Sequence, residues 1–148
     1  MFKPKKILVP TDFSEYSDKA LQKALDIAQQ SGAEINLLHV ITQEIRQCMS
    51  DYCFTTEEFQ QFTDKMRATA QEDLAKELEK FPVAKEVKIT TEIREGVPYD
   101  QILQSQAEKG SDLIVIASHG RSGITGYFMG SVASHVAKGS QCEVLLVK

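Results

Sequence analysis

The sequence predicts an α/β protein with one doubly wound, five-stranded parallel sheet, helices on both faces and the strand order 3-2-1-4-5. Three observations support this prediction. Strand-like and helix-like segments alternate from one end of the chain to the other. Strands separated by helices run parallel, and their right-handed crossovers cover both faces of the sheet. The 148 residues, of which 42% are hydrophobic, suit a single domain, residues 1–148, with an ordinary core.

The first three segments are a strand, a helix and a strand. Lys6–Val9 is a short apolar run that ends at a proline, which predicts a buried strand. Ser14 or Ser17 can cap the helix that follows, and Gly32 ends it. Ile35–Ile41 is almost continuously apolar, which is typical of a strand buried on both faces.

The middle of the chain contains a segment without a period and then a long amphipathic helix. Thr42–Phe54 has no clear period, so we expect a loop or an irregular insertion there. Thr55 and Glu58 resemble a capping box, and apolar residues then recur at helical spacing until Pro82. We expect the apolar face of this helix to pack on the sheet. Its polar residues, Glu77 among them, should be solvated.

The rest of the chain alternates strand, helix, strand, helix and strand. The expected strands are Val87–Ile93, Leu113–Ala117 and Val144–Val147. The expected helices run from Pro98 to Gly110 and from Gly130 to Gly139. The inward residues of the last helix should be Val132, Ala133, Val136 and Ala137. The prediction thus comprises five strands and four helices.

Composition and charge exclude several classes of protein. The formal net charge is −4 and no block of lysine or arginine occurs, so we expect neither nucleic acid nor a membrane surface as partner. No apolar run approaches the roughly 20 residues that a membrane helix needs. The three cysteines, Cys48, Cys53 and Cys142, are too few for a disulfide framework and indicate a reduced, cytoplasmic protein. Cys48 and Cys53 alone are too sparse for a zinc site.

The predicted topology locates the ligand site before any motif is considered. In the order 3-2-1-4-5 the switch point lies between the first and fourth strands, and ligands bind at the carboxyl ends of the strands that flank it. These ends lead into two segments, Pro10–Ser14 and Ala117–Ser131. We therefore expect the functional residues in these two segments.

The loop after the fourth strand is rich in glycine. It has four glycines within eleven residues, and Gly130-Ser131 opens the next helix. Glycines let backbone N–H groups approach an anion, and a helix N-terminus with a serine hydroxyl can hold a phosphate. The loop matches neither a Walker A sequence nor a dinucleotide fingerprint. From these residues alone, a phosphate site and a mobile surface loop are equally good interpretations.

The same segment resembles the nucleotide-binding signature of the universal stress proteins. That signature is Gly-x-x-Gly, nine residues, then Gly-Ser/Thr. Here Gly120, the nine residues 121–129 and Gly130-Ser131 match it, and Ala117 replaces the first glycine. The alanine Cβ matters only if this backbone needs a positive φ or a very close approach. Four other stretches are similar to the family, namely Ile7–Ser14, Gly96–Pro98, Asp112–Ile116 and Cys142–Val147.

The resemblance implies where an adenine nucleotide binds. Pro10, Thr11 and Asp12 would lie against the adenosine, with Asp12 accepting a hydrogen bond from the base or the ribose. Val40 matches a position whose backbone contacts adenine. The phosphates would be surrounded by Gly120, Gly130, Ser131 and Val132, with Ala117 and the backbone of His119 beside them.

Several of these side chains have two interpretations. Arg121 could pair with a phosphate oxygen, or it could equally be a solvated loop arginine. Asp12 follows a strand and can also cap the next helix, a role compatible with nucleotide contact. We interpret His39, in an apolar strand, as a hydrogen-bonded structural histidine, and we expect His135 at the surface of the last helix.

Three functions fit the sequence. The first, implied by the resemblance, is a stress protein whose occupancy by ATP, ADP or AMP, with or without Mg²⁺, alters its contacts. The second is a slow Mg²⁺-dependent ATPase, although no residue pair compels hydrolysis and we lean against efficient catalysis. The third is an interaction module with an empty pocket, for which Ala117 is the only sequence feature.

The resemblance also suggests a homodimer. The last strand, within Glu143–Val147, is apolar and would be an association hazard as an open edge. Antiparallel pairing of two such edges about a two-fold axis would cover both. We therefore expect the C-terminal strand to form the dimer contact.

Overall fold

The five strands form one parallel sheet in the order β3-β2-β1-β4-β5. The computed structural model describes residues 1–42, 44–52, 54–120 and 129–148. The strands are β1 Lys6–Pro10, β2 Glu34–Thr42, β3 Ile89–Gly96, β4 Leu113–Ala117 and β5 Glu143–Val147. The helices are α1 Glu15–Ser31, α2 Glu44–Asp51, α3 Thr56–Glu79, a 3-10 helix Pro82–Glu86, α4 Pro98–Lys109 and α5 Ser131–Gly139. The predicted fold class and strand order are confirmed.

Two apolar layers sandwich the sheet because alternate residues of each strand point to opposite faces. In β1, Ile7 and Val9 pack on the side of α1, whereas Leu8 packs on the other side. That second layer includes Ile102 of α4 and Val136 of α5. The central strands β1 and β4 are buried on both faces, as their continuous apolar runs predict.

The predicted helix ends are largely confirmed. The Ser14 hydroxyl caps α1 by accepting a hydrogen bond from the backbone of Ser17 at 3.3 Å. Gly32 and Gly110 end their helices in the left-handed conformation, with φ of 75° and 68°. Thr55 forms the expected capping box at the start of α3, where the Glu58 carboxylate accepts from the Thr55 backbone at 2.8 Å.

The expectation of a loop over Thr42–Phe54 was wrong, because this stretch contains the helix α2. A helix of 8 residues makes about two turns, too few for an apolar period to be recognised in the sequence. The strand expected from Val87 instead begins at Ile89, where pairing with Ile35 of β2 starts. Val87 and Lys88 instead link β3 to the preceding 3-10 helix, which ends at Glu86.

Two expectations about helix faces were also wrong. Glu77 is only 3% exposed, and it forms an ion pair with Lys80 at 2.9 Å that compensates the buried charge. The buried residues of α3 lie in its second half, whereas Phe62 in the first half is 38% exposed. On α5, Ala137 is exposed rather than inward, because the buried stripe of this short helix runs through Ala133 and Val136 only.

None of the helices in the described ranges is both long enough and apolar enough to cross a membrane. The longest of these helices, α3, has 24 residues, but most of them are polar and exposed.

Candidate functional site

A cavity of about 390 Å³ opens at the carboxyl ends of β1, β2 and β4. This volume lies within the range of roughly 300–1,000 Å³ typical of small-molecule sites. The position is the one expected from the topological switch point between β1 and β4. The order of the strands in the sheet therefore locates the cavity. The residues that line the cavity determine which ligand it can bind.

The structure brings most of the expected site residues together around this cavity. The lining residues that were expected from the sequence are Pro10, Thr11, Asp12, Val40, Ala117, His119, Gly120, Gly130, Ser131 and Val132. Arg121 lies outside the described residues. The geometry thus joins the two segments that flank the switch point.

Nine further lining residues were not singled out as site residues from the sequence, although one of them, Ser118, lies within the expected segment Ala117–Ser131. They are Ser17, Leu38, His39, Thr42, Pro98, Ile102, Ile116, Ser118 and Ala133. Several are apolar residues that sequence patterns assign only to the core. Pro98 carried a usable signal, because it starts α4 directly after β3 and so must lie at the carboxyl edge of the sheet.

The segment after β1 is held in a tight conformation by its own hydrogen bonds. The backbone N–H of Thr11 donates to the Leu38 carbonyl at 2.8 Å, which extends the β1–β2 ladder by one bond. Phe13 has a φ of 64°, in the left-handed region, and its N–H donates to the Thr11 hydroxyl at 3.1 Å. The N–H of Ser14 donates to the Asp12 carboxylate at 3.0 Å. Asp12 is therefore held in place beside the cavity.

The glycines on the other side of the cavity lie where side chains would be crowded. A Cβ on Gly120 would lie 3.0 Å from the Asp12 carboxylate, and a Cβ on Gly130 would lie 3.3 Å from the Ser118 carbonyl. The N–H of Gly130 donates to that same carbonyl at 2.7 Å. Ala117 belongs to β4. Among the described residues other than glycine, Phe13 alone has a positive φ, so the φ of Ala117 is negative. The alanine at this position is therefore not strained.

The N-terminus of α5 opens onto the cavity without a side-chain cap. Gly130 occupies the N-cap position with φ −58° and ψ 152°, and it has no side chain to accept from the first N–H groups. Ser131, the first helical residue, is exposed and lines the cavity. The first N–H groups of α5 have no partner within the helix, and together with the positive end of the helix dipole they suit an anion.

The histidines have distinct surroundings. His39 lines the cavity, and its Nδ1 lies 2.8 Å from the carbonyl oxygen of Thr11. His119 contacts the Ser118 hydroxyl through Nδ1 at 2.9 Å, and its buried Nε2 has no hydrogen-bond partner in the described part of the chain. His135 is exposed on α5, as expected, and stacks on Tyr99 with ring centroids 4.4 Å apart.

A charged cluster with a strongly shifted pKa lies away from the cavity. Burial raises the pKa of Glu92 on β3, but hydrogen bonds from Asn36, Ser105, Arg94 and Lys109 outweigh burial and lower that pKa to about 2. Arg94 donates to Glu92 at 2.6 Å, and Ser105 of α4 donates at 2.7 Å. Because these partners come from β2, β3 and α4, the cluster ties α4 to the sheet and has a structural role.

The fold and the cavity define a doubly wound α/β protein with a ligand site at the switch point. The chain matches the model of the Universal stress protein family over residues 3–148. It therefore belongs to the universal stress protein family.

Known proteins resemble this chain over nearly its full length. It is 34% identical to universal stress protein MJ0531 of Methanocaldococcus jannaschii, over 97% of this chain and 82% of that one. The solved structure of MJ0577 from the same organism matches with a TM-score of 0.81 and 32% identity, over 97% of this chain and 95% of that one. A universal stress protein solved in complex with cAMP matches with a TM-score of 0.70 and 24% identity, over 99% and 98% of the two chains.

Proposed function

We propose that this chain binds an adenine nucleotide, ATP, ADP or AMP, in the cavity at the switch point. One observation carries the proposal. A single cavity of about 390 Å³ joins apolar side chains, which suit a base, to a glycine-capped helix N-terminus, which suits phosphate.

The apolar part of the cavity suits the adenine ring. Leu38 and Val40 of β2, Ile102 of α4 and Ile116 of β4 supply aliphatic surface there. The Asp12 carboxylate can accept a hydrogen bond from a ribose hydroxyl or from the amino group of the base. A neutral base packs favourably on an aliphatic surface, and a hydroxyl group donates a favourable hydrogen bond to a carboxylate.

The glycine-lined part of the cavity suits the phosphates. The N–H groups of Ser131 and Val132 belong to the first turn of α5, and the Ser131 hydroxyl adds another donor. A Mg²⁺ ion would be held mainly by the phosphate oxygens, as is usual for this ion. We propose Arg121 as a further phosphate partner, on the ground of its charge and its place in the signature.

Binding, rather than turnover, is the activity that we propose. A relative with the same fold was solved with cAMP, and at 24% identity that likeness concerns the fold alone. The role in the stress response and the cytoplasmic location rest on the family and on the composition. Nucleotide occupancy would then regulate contacts with other proteins.

We further propose a homodimer that pairs two copies of β5. This strand is at the edge of the sheet, and Leu145 on it is 37% exposed. The edge lies close to the nucleotide site, because the Ser118 N–H donates to the Val147 carbonyl at 2.8 Å. Apolar edge strands favour association with a second strand.

A thermal melt tests the proposal. The protein is first extracted to detect co-purified nucleotide and is then melted without ligand and with ATP and Mg²⁺, ADP or AMP, with GTP as the comparison ligand. At a hundred times Kd, ATP should stabilise the fold by about 2.7 kcal/mol, which raises Tm by roughly 5–11 °C for a chain of this size. No shift with any adenine nucleotide and no bound nucleotide in the extract would indicate an interaction module instead.

A further inference from the structure

We propose that His39 is a positioning residue of the nucleotide site, which holds the segment that carries Asp12. The inference rests on the proposed function and deepens it. His39 follows the buried part of β2, and its imidazole contacts the residues on both sides of Asp12.

The first contact is a hydrogen bond to the backbone of Thr11. A carbonyl oxygen can only accept, so the His39 Nδ1 must carry the proton that is donated over 2.8 Å. The Thr11 N–H donates to the Leu38 carbonyl at 2.8 Å. Both backbone polar groups of Thr11 are therefore bonded to β2, one through the strand backbone and one through the His39 ring.

The second contact is with the ring of Phe13. The centroids of the Phe13 and His39 rings are 4.5 Å apart, with 36° between the planes. Phe13 has a φ of 64°, which is unfavourable for a residue with a Cβ and persists only where its surroundings compensate. The His39 ring supplies part of that compensation through aromatic contact.

These two contacts hold the residues on either side of Asp12, and so help to place its carboxylate. One Asp12 oxygen accepts from the Ser14 N–H at 3.0 Å, and the other lies 3.0 Å from the point that a Cβ on Gly120 would occupy. The position of the Thr11–Phe13 segment thus affects the distance between Asp12 and Gly120. A ribose contact by Asp12 depends on that distance, since a shift of 1 Å is enough to lose a hydrogen bond.

The test separates the donor of His39 from its ring. His39→Phe keeps an aromatic ring against Phe13 and removes the donor, whereas His39→Asn places an amide nitrogen near the position of Nδ1 and removes the ring. Gln106→Leu is the matched control, because the buried Gln106 amide also donates to a backbone carbonyl, that of Ser111 at 2.9 Å. Neither Gln106 nor Ser111 lines the cavity.

Calorimetric titration with ATP and Mg²⁺ gives Kd, and a thermal melt without ligand gives Tm for each variant. We expect His39→Phe to weaken ATP binding about 5–10-fold, the size of one hydrogen bond, and His39→Asn to recover most of this loss. Gln106→Leu should bind ATP as the wild type does. If His39→Phe does not fold, His39→Leu replaces it, since leucine also carries no hydrogen-bond donor.

A double variant tests whether His39 acts through Asp12. In an Asp12→Ala background the loss caused by His39→Phe should shrink to less than twofold, because the residue that His39 positions is gone. An undiminished loss in that background overturns the inference, and so does wild-type affinity in His39→Phe; in both cases the proposed function stands. If the wild type itself binds no adenine nucleotide, the proposed function and this inference are both overturned.

Discussion

Gly130→Val should abolish tight nucleotide binding and leave the fold intact. A Cβ at this position would lie 3.3 Å from the Ser118 carbonyl and 3.8 Å from the Gly120 backbone nitrogen, within the gap between the glycine loop and α5. The two methyl groups of valine extend further and would occupy space that we assign to phosphate. The backbone of Gly130, with φ −58° and ψ 152°, is open to any residue.

The expected magnitude follows from the bonds that would be lost. A hydrogen bond to a charged group contributes about 1.5–3 kcal/mol, so losing two from the first turn of α5 weakens binding by roughly 100-fold or more. Valine is a poor N-cap compared with glycine and costs about 1 kcal/mol, which lowers Tm by roughly 2–4 °C.

Titration of ATP and Mg²⁺ into both proteins measures the effect, with Gly110→Ala as the matched control. Gly110 has a φ of 68°, and a Cβ added there would meet no atom within 4 Å, so alanine costs a similar stability through the backbone alone. This variant should bind ATP as the wild type does. If Gly130→Val binds ATP within about threefold of the wild type, the N-terminus of α5 is not the phosphate site.

Two further predictions concern assembly and stability. Leu145→Lys puts a charge on the exposed apolar edge of β5, so it should give monomers, or insoluble protein, in sedimentation velocity; an unchanged dimer would refute the proposed interface. Glu92→Gln should lower the free energy of unfolding in urea most at neutral pH. The folded-state pKa of Glu92 is about 2 against an ordinary value of 4.5. The stabilisation by its carboxylate is therefore complete above pH 4.5 and is lost as the pH falls towards 2. If the difference in the free energy of unfolding between the wild type and Glu92→Gln does not decrease from pH 4.5 to pH 2, the Glu92 carboxylate is not the stabilising group.

The fold was predictable because its determinants are local. The caps at Ser14 and Thr55 and the helix ends at Gly32 and Gly110 involve residues within one or two turns of each other. Alternating strands and helices then leave few topologies. The helix α2 escaped prediction because two turns hold too few residues to show a period.

The candidate site was predictable where a motif or the topology identified it, and not elsewhere. Gly120 and Gly130 were found by their spacing, and Asp12 by its place after β1. Ile102 and Ile116 were expected only as core residues, since an apolar side chain that lines a cavity has the same sequence pattern as one that is packed. The burial of Glu77 was missed because the spacing of apolar residues does not reveal its ion pair with Lys80.

Apart from α2 and the 3-10 helix, the elements, their order and the edge of the sheet where a ligand can bind follow from the amino-acid sequence alone. These depend on periodicity, caps and chain connectivity, all of which are written along the chain. By contrast, the contacts of His39 with the carbonyl of Thr11, 28 residues earlier, and with the ring of Phe13 arise only when the chain is folded. Those contacts depend on the register in which Pro10 pairs with Leu38, and a register is set by packing across the sheet rather than by neighbouring residues.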